Sequence, residues 1–312
     1  MSDFNVSRLG QVNEQGNDRE LFLKKFGGEV LTAYHDKNVT NGTIMEKNVS
    51  AQKSAQFPAM GKVGSGYHVP GTEIKGQKVP HAEVTIAVDG LLYSDTFVDN
   101  LDEWMNHYEV RAPYSTEMGE ELALQYDMNN LRCVIQAARG SAIVKGTNGG
   151  SVLKNANFAS DNVALADGIW EAAEVMDEKN TPSQRWCVLR PSQYYMLARN
   201  TDLMNQNWNG AGNYAQAVIP TVAGVSIVKC NHLPNENEAT DENLLEKFRA
   251  DYSKTRGVVY TNRAAGVVKL KTVSTETEYS ARHQGTLMIA KYAVGHGPLR
   301  SDNAVELSVA AT

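Results

Sequence analysis

Residues 115–140 read STEMGEELALQYDMNNLRCVIQAARG, and their spacing decides the longest element of the chain. Met118, Leu122, Tyr126, Leu131, Val134, Ile135 and Ala138 fall on one apolar stripe of helical period. Glu117, Glu120 and Glu121 occupy the first turns, Arg132 and Arg139 lie toward the end, and Gly140 follows. That charge order complements the helix dipole, and glycine is a natural stop. The pattern predicts a helix over about 115–139, roughly 37 Å long at 1.5 Å per residue. Pro113 is expected to end a shorter helical segment, Leu101–Tyr108, and to open the long one.

Toward the N-terminus the pattern weakens. Residues 1–20 are polar and aperiodic, as in an arm that has no structure alone. Leu21, Phe22, Phe26, Val30 and Leu31 recur at helical spacing, interrupted by Gly27-Gly28. Residues 39–90 alternate short β-like runs with glycine, and Thr85–Val88 reads as a strand. Together they predict a two-stranded excursion joined by a loop near Gly71–Pro80. Such a ribbon is marginal in water and needs a surface to lie on.

Beyond the long helix, residues 141–160 are rich in Gly, Asn and Ser and mark the best domain boundary. Helix and strand then alternate. Val163–Asp177 and Pro191–Arg199 read as helices, and Trp186–Leu189, Val225–Val228 and Val305–Val309 as strands. Val258–Tyr260 and Val267–Leu270 are expected to pair with each other, and Asn235–Glu246 to form an acidic surface loop.

Charge is sorted along the chain. The whole carries a net −6 with 21% charged residues, which disfavours a protein that coats nucleic acid through a basic stripe. Residues 91–130 hold nine acids against Arg111 alone, a net of −8. Residues 47–83 hold five lysines against Glu73 and Glu83, and residues 253–300 hold eight basic residues against Glu276 and Glu278. A charge run is ordinarily a solvated face. The sharper expectation is a contact between copies: Lys62, Lys75 and Lys78 of the ribbon against Asp102, Glu103, Glu117, Glu120 and Glu121 of a neighbour. Complementarity of that kind sets register and orientation. An acidic wall including Glu117, Glu120 and Asp127 would also repel phosphates if it faced an enclosed lumen.

Enzyme chemistry finds no foothold. Gly61-Lys62-Val63 lacks the upstream glycine and the Ser/Thr of a phosphate loop, and Gly64-Ser65-Gly66 lacks the third glycine of a dinucleotide fingerprint. There is no GxSxG elbow and no HExxH pair. Cys133, Cys187 and Cys230 are far apart and odd in number, so reduced, buried or half-buried thiols are expected rather than a disulfide or metal framework. His296, in Gly295-His296-Gly297-Pro298, is expected in a tight turn. No cofactor, metal or catalytic set is expected, nor a secretory leader or membrane span.

Five stretches carry a resemblance. They are LFLKKFGGEVLTA (Leu21–Ala33), KSAQFP (Lys53–Pro58), IAVDGLL (Ile86–Leu92), MNHY (Met105–Tyr108) and IAKYAVGHGPLR (Ile289–Arg300). In this order they resemble the major capsid proteins of short-tailed coliphages and their marine relatives, the podoviruses. The glycine- and methionine-rich start of the coliphage members is missing, and residues 141–250 match weakly.

The resemblance implies an α+β fold, the shell fold of tailed-phage capsids, encapsulins and the herpesvirus capsid floor. Residues 1–50 would be an N-terminal arm, 51–90 an extended β-loop, and 91–150 a peripheral domain with the spine helix. Residues 151–280 would form an axial domain, and 281–312 the return to the peripheral domain and a C-terminal strand. It further implies self-assembly into hexamers and pentamers around double-stranded DNA that is enclosed without specific binding. A scaffolding protein and a portal would be its partners, in the host bacterial cytoplasm and without a membrane. Two other readings stand beside it: an encapsulin-type compartment holding an enzyme cargo, and an α/β cytosolic enzyme whose site has no sequence signature.

Overall fold

The computed structural model describes residues 20–99, 111–200 and 221–309. Residues 1–19 of the expected arm, the helix expected over Leu101–Tyr108, and Asp102 and Glu103 lie outside them. In chain order the elements begin with α1 (Glu20–Lys37), β1 (Met45–Asn48), β2 (Ser54–Met60), β3 (His81–Ala87), β4 (Leu91–Asp99) and α2 (Arg111–Arg139). They continue with β5 (Ser151–Lys154), α3 (Asn162–Glu178), β6 (Trp186–Leu189), α4 (Pro191–Leu197), β7 (Thr221–Val222) and β8 (Val225–Lys229). The last four are β9 (Thr255–Tyr260), β10 (Ala265–Ser280), β11 (Gly285–Pro298) and β12 (Ala304–Ser308).

The chain divides into two compact units. One gathers Met1–Asn38, Gly90–Tyr126 and Lys271–Val294, the other Val39–Asp89, Asp127–Leu270 and Gly295–Thr312. In the first, α1 crosses the N-terminal half of α2 at backbone distance. A Cβ on Gly119 would stand 2.5 Å from the Val30 carbonyl oxygen and 2.9 Å from Ala33 Cβ. Ser115 Oγ donates to Glu29 at 2.7 Å beside this crossing. Tyr34, Tyr126 and Tyr292 meet there at ring separations of 6.0–6.4 Å, within the range of favourable aromatic pairs. β4 and β11 pair antiparallel from Leu91↔Ala293 to Asp99↔Gly285. Met288, Ala290 and Tyr292 turn to the buried side.

α2 begins at Arg111, earlier than the apolar stripe suggests, with Pro113 in its first turn. The first N–H groups of a helix have no intrahelical acceptor, so proline is tolerated there. All seven stripe residues are buried.

The second unit is built on a six-stranded sheet of order β5-β12-β9-β6-β8-β7. β6 is the apolar run Trp-Cys-Val-Leu, and Cys187, Val188 and Leu189 are all buried. Such a run suits a strand covered on both faces. Leu165, Ile169, Ala172 and Met176 of α3, with Tyr194 and Leu197 of α4, pack with Cys187, Leu189, Val259, Val305 and Leu307 into one core.

The predicted excursion is present. β2 and β3 pair antiparallel from Ser54↔Ala87 to Met60↔His81. Its base has found its surface within the chain: Ala55, Phe57 and Ile86 pack with Val268 and Leu299. One pairing expectation is corrected. β9 pairs with β12 and β6, whereas β10 pairs in parallel with β1, Met45↔Gly266 to Asn48↔Lys269. The turn that closes with Ala264 N–H donating to the Thr261 carbonyl looks like a hairpin. It sends the chain into a second sheet, which local sequence cannot distinguish from a return.

Gly119→Val should destabilise the protein by about 1–3 kcal/mol, the cost of overpacking a close crossing. Urea unfolding followed by circular dichroism would show a lowered midpoint, and an unchanged midpoint would mean the helices do not meet at Gly119.

Candidate assembly surface

Residues 61–80 connect β2 to β3 and begin with the Gly61 N–H donating to the Pro80 carbonyl at 2.9 Å. At the far end, Val69-Pro70-Gly71-Thr72 closes a turn by a 3.1 Å bond from the Thr72 N–H to the Val69 carbonyl. Gly71 has φ +90°, the left-handed geometry that a Pro-Gly turn requires. Val63, Tyr67, Val69 and Ile74 are all exposed, Tyr67 at 104% and Ile74 at 79%. Lys62, Lys75 and Lys78 are exposed as well. Among the described residues none forms an ion pair with them. A loop presenting apolar and cationic side chains together, with nothing beneath them, has the make-up of a contact surface.

Of the acidic residues expected opposite it, Glu117, Glu120 and Glu121 lie on the N-terminal half of α2. Glu117 and Glu121 are exposed on α2, and Glu121 accepts a 3.0 Å bond from Gln125. Glu120 is paired with Lys37 at 3.2 Å. Asp127 is wholly buried, so the acidic lumen wall that included it is corrected.

What sequence reasoning missed is a chain of buried polar groups along the C-terminal half of α2. Asp127 Oδ1 accepts from the Thr40 N–H at 3.0 Å and the Thr40 hydroxyl at 2.6 Å. Its Oδ2 accepts from the Val39 N–H at 2.8 Å and from His232 Nδ1 at 3.0 Å. Asn130 Nδ2 donates to Thr40 Oγ1 at 2.8 Å, and Asn130 Oδ1 takes His296 Nδ1 at 2.8 Å. Two residues further, buried Arg132 grips Glu238 through two bonds of 2.8 and 2.9 Å. Arg139 holds the buried Glu306 through two of 2.6 Å. The available signal was position: Asp127 precedes Leu131, Val134, Ile135 and Ala138 at helical spacing, on the apolar stripe itself.

Two further expectations are corrected here. His296 is not in a turn but buried within β11. Its flanking glycine answers to a close approach, since a Cβ on Gly295 would lie 2.2 Å from the Ala87 carbonyl oxygen. The loop 235–246 is not wholly a surface feature, because Glu238 turns inward to Arg132.

Asp127, Cys230 and His232 stand close enough to hold a metal ion. Their donor atoms are already engaged. Both Asp127 oxygens carry two bonds each, and Cys230 Sγ accepts the His232 N–H at 3.3 Å. The grouping is a finished internal ion pair. All three cysteines are free and buried. A cavity of about 300 Å³ beside the ribbon is lined by apolar side chains, Arg263 and Arg300. Among the described residues that line it there is no carboxylate, thiol or imidazole.

The bond to Asp127, and secondarily that to Cys230, raises the His232 pKa to about 10, while burial lowers that of His296 to about 3. The signs oppose each other. The His232 contribution to stability is complete below the unfolded value near 6.5 and is lost as pH climbs toward 10. The His296 contribution is complete above 6.5 and is lost as pH falls toward 3. Replacing His232 with Gln should flatten the alkaline limb of the stability profile and leave the acid limb. Urea midpoints measured from pH 4 to 10 would show this, and an alkaline limb unchanged by the substitution would refute it. Arg132→Ala strands the Glu238 carboxylate and should cost about 3–5 kcal/mol. Denaturant midpoints would check that figure, and a loss below about 1 kcal/mol, the worth of an exposed pair, would contradict it.

Residues 56–308 match the family model described as Gp10A-like major capsid protein. The chain is 31% identical to the major capsid protein of Escherichia phage T7 over 93% of its own length and 92% of that protein. It is also 31% identical to the major capsid protein of Enterobacteria phage T3, over 95% and 93%. The capsid structure of cyanophage P-SCSP1u superposes with a TM-score of 0.80 at 38% identity, covering 100% of both chains.

Proposed function

The chain belongs to the Gp10A-like major capsid protein family, and on that premise we propose that hexamers and pentamers of it tile an icosahedral phage head around double-stranded DNA. It is a structural protein of the virion and not an enzyme. A scaffolding protein during assembly and a portal at one vertex would complete the head, built in the host bacterial cytoplasm. DNA would be enclosed and not gripped, in keeping with the net charge of −6.

The observation that carries the assembly reading is the loop 61–80, whose Tyr67 and Ile74 stand in the open on a single chain. Large apolar side chains so placed are covered when a neighbour arrives. In the division proposed for the chain, residues 1–50 are the arm, 51–90 the extended loop, 91–150 the peripheral domain and 151–280 the axial domain. Residues 281–312 are the return. Lys271–Val294 belongs to the same compact unit as Gly90–Tyr126, which supports the return for residues 281–294, while Gly295–Thr312 falls in the other unit.

In this reading Lys62, Lys75 and Lys78 meet the acidic residues of a neighbouring copy, Glu117 and Glu121 among them. Each contact is weak, and many together make a durable shell. Lys75→Glu with Lys78→Glu should leave the circular dichroism of the single chain unchanged and lower the yield of closed particles at least about tenfold. Negative-stain microscopy reads the particles. Normal shells from the double variant would remove the lysines from the contact, and discrete small oligomers from the unaltered chain would remove the capsid reading itself.

A further inference from the structure

α3 carries its charges against its own interest. Asp167, Glu171, Glu174 and Glu178 are exposed. With Val163 and Trp170 they occupy roughly a third of the helix circumference at 3.6 residues per turn. Asp167/Glu171 and Glu174/Glu178 are like charges four apart, each pair destabilising the helix. The last turn holds no basic residue, so Glu174 and Glu178 crowd the negative end of the dipole. Asp177 is answered by Arg185. Among the described residues no cation pairs with the other four. In the middle of this face Trp170 is 59% exposed and Val163 51%.

The opposite charge lies on the same compact unit. From 179 to 200 and from 221 to 235 there are five Lys and Arg residues and no acid. Arg199 and Lys229 are exposed. Lys229 Nζ donates to Tyr195 Oη at 3.0 Å and lies 4.9 Å from the centre of that ring, which is itself 46% exposed. An aromatic ring and a fixed cation are thus presented together, and no described ion pair joins this patch to the α3 face within one chain.

We propose that these two surfaces bind each other between copies: the acidic α3 face around Trp170 docks on the Tyr195–Lys229–Arg199 patch of the next subunit. The contact is heterologous, one surface against a different one, and such contacts close into rings when the rotation permits. Carboxylates that repel one another in the isolated chain are relieved by the neighbour's cations. Trp170 and Tyr195 supply the apolar centre, the residue types that dominate interface energetics. The occupant is a second copy of this chain, so the inference rests on the capsid reading above.

A charge exchange tests it. Glu171→Lys with Glu174→Lys should cut the yield of closed particles at least about tenfold, and so should Lys229→Glu with Arg199→Glu, because like charges then face each other. All four substitutions in one chain should restore particles to within about threefold of the unaltered protein. Circular dichroism of each variant separates assembly from folding. Undiminished assembly by either pair, or folded but unrestored assembly by the fourfold variant, overturns the proposal. Carbodiimide coupling of unaltered particles built from mixed light and heavy-isotope chains gives a second reading that needs no variant. A mixed-isotope peptide joining Lys229 to Glu171 or Glu174 is expected, and its absence counts against the contact even where a variant misfolds. Had a different, basic protein been the occupant, that peptide would be missing while unaltered particles still formed. Failure of unaltered chains to form particles at all would strike the capsid reading instead.

Discussion

The C-terminal half of α2 is buried on nearly every side and yet carries Asp127, Asn130 and Arg132 in its interior. A buried charge without a partner costs several kcal/mol and a buried amide a few, so each of these groups demands a partner. The partners come from distant parts of the chain: Val39 and Thr40 near its start, His232 and Glu238 in the middle, His296 near its end. Apolar packing holds these segments together without choosing a register. The hydrogen bonds choose it, because a shift of one residue would leave a carboxylate or guanidinium dry. Arg139 extends the same logic to Glu306 on β12, and so ties the helix to the six-stranded sheet.

That anchoring makes sense of what is left outside. The second unit has a core of its own and needs no neighbour to hold its sheet. The loop 61–80 and the α3 face are different. Their apolar and charged side chains are presented, not packed. A shell subunit requires this division. A stiff body fixes the angle between neighbours, and exposed surfaces on it supply many contacts, each weak enough to be corrected during growth. The ribbon shows how the two requirements join. Phe57 and Ile86 root it in the chain's own core, while Tyr67 and Ile74 reach out from the far end.

Where expectation and structure part, the cause is consistent. Val258–Tyr260 and Val267–Leu270 were expected to pair with each other, and the sheet-switching turn between β9 and β10 is locally indistinguishable from a hairpin. Gly295 and Gly297 suggested a turn at His296, but glycine also marks places where two backbones come within contact, as Gly295 does with Ala87. Asp127 and Glu238 were counted with surface acids, since a carboxylate in sequence carries no label for burial. Each of these residues has two physical uses, and only its partner, far away along the chain, decides between them.

The sequence by itself determined the long helix and its buried stripe, the strand Trp186–Leu189, the last strand to within a residue of Val305–Val309, the paired ribbon, and the kinship with phage shell proteins. These are matters of local period, composition and order, which survive without knowledge of contacts. Only the tertiary structure decided which strands share a sheet, which charges are buried, and which faces remain open. Those outcomes depend on pairings between residues as far apart as Thr40 and Asp127 or Arg139 and Glu306. Burial is a property of the folded whole, and no window of sequence contains it.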